Sequence, residues 1–147
     1  MRLDEYPRPI NDNGRGIHWS SSPTIWGKDN WEFWKTELIE TNTKWVKVND
    51  SPNGESQGLV ERLLDIGIFP IVRFFVHQQN PHAMTDVAPI TIDTIKRYVK
   101  LGVRYFETNN EPDSNREWEI PRPDDWLEIV TRNFLTDWKH ITNAFGS

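Results

Sequence analysis

Pro70-Ile71-Val72-Arg73-Phe74-Phe75-Val76-His77 decides the fold. The run is rich in β-branched and aromatic residues, and its proline stands at the first position, where a strand tolerates one. Side chains alternate along a strand. Val72, Phe74 and Val76 therefore share one face, and Ile71, Arg73, Phe75 and His77 share the other. A strand inside an open parallel sheet is apolar on both faces. This one carries a guanidinium and an imidazole on one side only, which suits a sheet with a helix-covered face and a polar face.

Working outward, the same parity recurs. Gly16 to Ser20 reads as a first strand, with Ile17 and Trp19 opposite His18. Trp45 to Asp50 reads as a second, with Val46 and Val48 opposite Lys47. Val103 to Asn109 reads as a fourth, with Phe106 and Thr108 opposite Tyr105, Glu107 and Asn109. One face can thus gather His18, Lys47, Arg73, His77 and Glu107. Arg104 is a misfit on the apolar face. Between the strands lie helical patterns. Trp31, Trp34 and Leu38 form a stripe at i, i+3, i+7, and Leu59, Val60, Leu63 and Leu64 form a second ahead of a Gly67 stop. Thr91 can cap a third helix carrying Ile92, Ile95 and Val99, which Gly102 ends. Pro123-Asp124-Asp125 opens a long fourth with Leu127, Val130, Phe134, Trp138, Ile141 and Phe145 expected on one face.

Four βα repeats imply a parallel sheet with right-handed crossovers. A doubly wound nucleotide-binding fold would place a glycine-rich turn after the first strand. Ser20-Ser21-Ser22-Pro23-Thr24-Ile25-Trp26 is no such turn. A whole (β/α)8 barrel takes about 250 residues, and this chain has 147. The expected class is α/β, four βα units forming half of a (β/α)8 TIM barrel.

Composition narrows the function. With 36% hydrophobic and 27% charged residues the chain is globular, and a net charge of -5 without a basic run argues against nucleic acid. No apolar stretch approaches the about 20 residues of a membrane helix. No signal peptide opens the sequence, so the compartment is open, with cytoplasmic as the default. The absence of Cys removes thiolate metal sites and cysteine nucleophiles. His77 and His82 lack metal-site helix spacing, and the serines lack a His–Asp arrangement. No metal and no cofactor is expected.

Chemistry concentrates where the fourth strand runs into Glu107-Thr108-Asn109-Asn110-Glu111-Pro112-Asp113. In parallel α/β folds ligands sit at the carboxyl ends of strands. A partly desolvated carboxyl there can serve as a general acid. Glu107, deeper by parity, needs a cationic partner such as Arg73 or Lys47. Phe106 to Pro112 resembles the Asn-Glu-Pro signature of the clan A retaining glycoside hydrolases. Gly16-Ile17-His18-Trp19 and Arg73-Phe74-Phe75-Val76-His77 fit the same context. The resemblance covers nearly the whole chain but only half of that family's barrel. It implies that residues 1–147 form a partial catalytic domain, strands one to four, of a glycosidase. Glu111 would be the acid/base and Asn110 would bind the sugar's 2-hydroxyl. The nucleophile carboxylate would come from a seventh strand, for which this sequence has no counterpart.

The expected substrate is a carbohydrate. His18, His77, Trp19, Trp26 and Trp118 are candidate sugar contacts, and Arg73, Glu107 and Lys47 are candidates for a structural polar interior. Trp31, Trp34, Trp126 and Trp138 are expected to pack on helices. Two other readings stay open: a non-catalytic carbohydrate-binding half-barrel, and an assembly module pairing with a second half-barrel. The expected macromolecular partner is a missing C-terminal half-barrel or a second copy of the chain.

Overall fold

The computed structural model describes residues 5–19, 30–74, 89–107, 111–118 and 121–145. They form an α/β fold of alternating units: β1 (Gly16–His18), α1 (Trp31–Glu40), β2 (Trp45–Asp50), α2 (Gln57–Asp65), β3 (Phe69–Phe74), α3 (Pro89–Leu101), β4 (Tyr105–Glu107) and α4 (Trp126–Phe145). The sheet is parallel throughout, in the order β1-β2-β3-β4. Each strand pairs with its neighbours in sequence. The register aligns His18 with Lys47, Lys47 with Ile71 and Ile71 with Tyr105. One row further on, it aligns Asn49 with Arg73 and Arg73 with Glu107.

The sheet separates two environments. Val46 and Val48 of β2 and Val72 and Phe74 of β3 are buried in one core with Trp31 and Leu38 of α1, Leu59, Val60 and Leu63 of α2, and Ile95 and Tyr98 of α3. Burying each of these aliphatic side chains contributes about 1.5–3 kcal/mol. Arg62 of α2 stacks over the Trp31 ring at 5.6 Å, tying α2 to α1. Phe106 lies parallel to Phe74 at 6.2 Å on the same side. The opposite face carries Trp45, Lys47, Asn49, Ile71 and Tyr105, all half-buried. Helices therefore cover one face of the sheet. The polar-face parity read from β3 holds across β2 and β4.

Helix stops follow backbone chemistry. Gly67 and Gly102 adopt φ of +76° and +111°, which a side chain resists, directly after α2 and α3. Arg104, the parity misfit, is exposed just before β4. Its guanidinium donates to the carbonyl of Val99 in the last turn of α3 and to that of Val103 just beyond it, 3.2 Å each.

Two helix expectations need correction. Thr91 does not cap α3. The helix begins at Pro89, a residue suited to a first turn, and Thr91 is buried inside it. The apolar residues of α4 do not face the core as one stripe. Asn133 and Asp137 turn inward and are buried, Ile141 packs at the core's edge, and Leu127, Phe134 and Trp138 are exposed. Trp138 is thus not a packing residue here. Among the described residues no helix is long and apolar enough to cross a membrane.

Candidate functional site

Alternation along β2, β3 and β4 delivers three of the expected residues to one place. Lys47 Nζ lies 2.6 Å from Glu107 Oε2 and 2.8 Å from Oε1. Arg73 Nη1 lies 3.4 Å from Glu107 Oε1. The carboxylate is shared by two cations, one from each of the two preceding strands. Arg73 is the more enclosed, with 10% of its side chain exposed against 35% for Glu107, so solvent reaches the group from the Glu107 side.

Asn49, which the sequence reading overlooked, extends the group. Arg73 Nε donates to Asn49 Oδ1 at 3.0 Å, and His18 Nε2 lies 3.3 Å from that same oxygen. A hydrogen-bonded row thus crosses the sheet: Glu107 of β4, Arg73 of β3, Asn49 of β2 and His18 of β1. The signal for Asn49 was its parity, which is that of Lys47. A neutral amide carries no charge to mark it in the sequence.

Glu111 follows β4 with φ +24°, and its side chain is exposed. A non-glycine residue at positive φ is uncommon and costs on the order of 1–3 kcal/mol. The loop beyond it is braced by its own groups. Ser114 N donates to Glu111 O at 2.8 Å, Trp118 Nε1 donates to Pro112 O at 2.9 Å, and the Arg122 guanidinium donates to the Asp113 carbonyl. Asn110, His77 and Trp26 lie outside the described residues, as do His82 and Ser20 to Ser22.

The two remaining tryptophans are buried. Trp19 is 4% exposed, lies in the core and meets Trp34 edge-on at 5.8 Å. It has the parity of Ile17 and so turns toward the helices, away from His18. Trp118 is 7% exposed, its indole N–H spent on the loop.

A second buried polar centre lies on the helix side. Asp50 Oδ1 accepts from the backbone N–H of Ser51 and Ser56, 2.8 Å each, and Oδ2 accepts from the Tyr98 hydroxyl. Burial pushes the Asp50 carboxyl above its usual range, against the downward pull of those donors. Burial, with Asp50 next, pushes the Tyr98 phenol up as well, so it stays a donor. This centre ties β2, the loop into α2, and α3 together.

At the amino ends of the strands, a hollow of about 480 Å³ is lined by Tyr6, Arg8, Asp12, Trp45, Ile71 and Tyr105. Asp12 accepts from Gly14 N–H and from Trp45 Nε1, which hold its carboxyl below the usual range, the Gly14 contact first. Tyr105 donates to the Pro7 carbonyl. The N-terminal segment is thus pinned against that end of the sheet. A larger hollow, of about 850 Å³, runs along α4 past Leu127, Leu135 and Lys139 and touches no residue of the polar row. It follows the exposed side of the helix. Among the described residues, no cluster of His, Asp and Glu could hold a metal ion.

Comparison with family models, with curated proteins and with solved structures finds no match to this chain.

Proposed function

We propose that the chain is the strand-one-to-four half of a (β/α)8 barrel from a retaining glycoside hydrolase. Glu111 is its acid/base and the His18–Asn49–Arg73–Glu107 row lies inside the sugar site. The observation that carries this reading is the polar row itself. A parallel sheet in sequential order, covered by helices on one face and lined by hydrogen-bonded charged groups on the other, supports a barrel interior over a doubly wound sheet. Glu111, in the sequence Asn110-Glu111-Pro112, comes four residues after Glu107, the last residue of β4, and its positive φ supports a functional position for it.

Hydrolysis with retention needs two carboxyl groups about 5–5.5 Å apart. Glu111 protonates the leaving oxygen, and a nucleophile from a second segment attacks the sugar carbon to form a glycosyl-enzyme. Glu111 then takes a proton from the attacking water. Lys47 and Arg73 both pair with the Glu107 carboxylate, so Glu107 serves as a structural partner and not as a second catalytic carboxylate.

The test uses a barrel completed by the nucleophile-bearing segment. Glu111→Ala should lower turnover most on glycosides with poor leaving groups. An activated aryl glycoside should be spared in its first step, and azide should restore its turnover. Equal loss on both substrates without azide rescue would make Glu111 structural and overturn the assignment. Glycosidase activity from the 147-residue chain as a monomer would overturn the two-segment reading.

A further inference from the structure

We propose that Asn49 is a positioning residue that holds His18 in its Nε2–H tautomer, turning the ring's Nδ1 into a hydrogen-bond acceptor for a ligand hydroxyl. The argument starts at Arg73. A guanidinium has donors and no acceptor, so the Asn49 atom 3.0 Å from Arg73 Nε is the amide oxygen. Chemistry thereby fixes the orientation of the amide, which the similar shapes of O and NH2 would leave open. The same oxygen lies 3.3 Å from His18 Nε2. An amide oxygen only accepts, so Nε2 must carry the hydrogen. In the neutral imidazole Nδ1 is then a lone pair.

Among the described residues Nδ1 has no hydrogen-bond partner, and His18 is exposed on the open face of the sheet. The group it suits is an O–H donor. Arg73 is itself fixed by Glu107, which Lys47 also holds. The polarity of one imidazole on β1 is thus set by a carboxylate on β4, through donors and acceptors that each have one possible sense. Asn49 acts through His18 and Arg73 and is not itself a reacting group. That the hydroxyl belongs to a sugar rests on the proposed glycosidase reading. The tautomer does not.

Nitrogen-15 NMR of the His18 ring in the full 147-residue chain, without sugar, tests the assignment. The wild type should show the wide separation of ring-nitrogen shifts of a pure Nε2–H form above the ring's pKa. Asn49→Leu, which keeps bulk and removes the acceptor, should narrow that separation as both tautomers exchange. Asn49→Asp keeps an acceptor-only group and should retain the Nε2–H form. Its added charge should also raise the pH at which the ring titrates. Arg73 and Glu107 of the row, and Lys47 beside it, are unchanged in both variants. A wild-type ring protonated at Nδ1 would overturn the proposal, as would a Leu variant with unchanged nitrogen shifts. If the Leu variant does not fold, the Asp variant decides, and a ring that titrates where the wild type does would overturn the contact. Failure of the sugar reading would appear instead in the leaving-group and azide experiment, with the tautomer intact.

Discussion

Tyr98 and Asp50 show how a buried polar pair can be indispensable without touching ligand. Tyr98 is 1% exposed and Asp50 4%, and the phenol supplies one of the carboxylate's donors. Tyr98→Phe leaves Oδ2 buried and unsatisfied, at a cost of about 1–3 kcal/mol. The sign with pH follows from the shift. Asp50 is raised in the folded state, so the folded protein holds the proton more tightly and loses stability as pH climbs through the raised value. Removing the Tyr98 donor raises Asp50 further. The variant's deficit in urea unfolding should therefore be smallest in acid and grow toward neutrality, and a pH-independent deficit would contradict this. Little of this centre was legible in the sequence, because Asp50 and Tyr98 stand 48 residues apart and no local pattern links them. Lys47, Arg73 and Glu107 were legible, because period-two alternation alone brings them to one face. Trp19 stands near a strand end, yet its parity with Ile17 turns it toward the helices. Trp118 offered no parity to read, since it follows a 3-10 turn (Asn115–Glu117) in a loop.

β2, β3 and β4 are joined by backbone ladders and also by one shared carboxylate. Glu107→Gln keeps the shape and removes the charge between Lys47 and Arg73. An exposed pair is worth about 0.2–1 kcal/mol and breaking a buried one costs about 3–5 kcal/mol. With the Glu107 side chain 35% exposed, solvent screening brings the expected loss to about 1–2 kcal/mol. Denaturant unfolding should show the midpoint fall with an unchanged slope. Adding Lys47→Met should recover part of the loss, since one uncompensated cation is then gone. No recovery would mean that the row is not electrostatically coupled. The helices were legible to different depths. Gly67 and Gly102 marked the ends of α2 and α3 because positive φ leaves few alternatives to glycine. The start of α3 is ambiguous in the sequence because Thr91 is as good a cap as Pro89 is a first-turn residue. The rotation of α4 was hidden for a different reason. Apolar spacing shows that a helix has an apolar side, but not which neighbour that side meets, and here Asn133 and Asp137 take the inward positions.

For the molecule as a whole, those choices leave unfinished boundaries. β1 and β4 each pair on one side within the described sheet, and Leu127, Phe134 and Trp138 stand exposed on α4. Unpaired strand edges and apolar patches invite association. The isolated chain should run larger than a monomer in sedimentation at tens of micromolar. Trp138→Lys should shift it toward monomer while changing its own stability by no more than about 0.5 kcal/mol. A monodisperse wild-type monomer would count against an open-ended sheet. The sequential strand order has a consequence for synthesis. Domains build from the N-terminus as translation proceeds at about 5–20 residues per second. Every strand here pairs with strands adjacent in sequence. A nascent chain that has released β3 already holds all the partners β2 requires, and α4 need not exist for that pairing to form. The ribosome therefore emits this protein in docking order, and a translational pause between two βα units leaves less apolar surface uncovered than a pause within one.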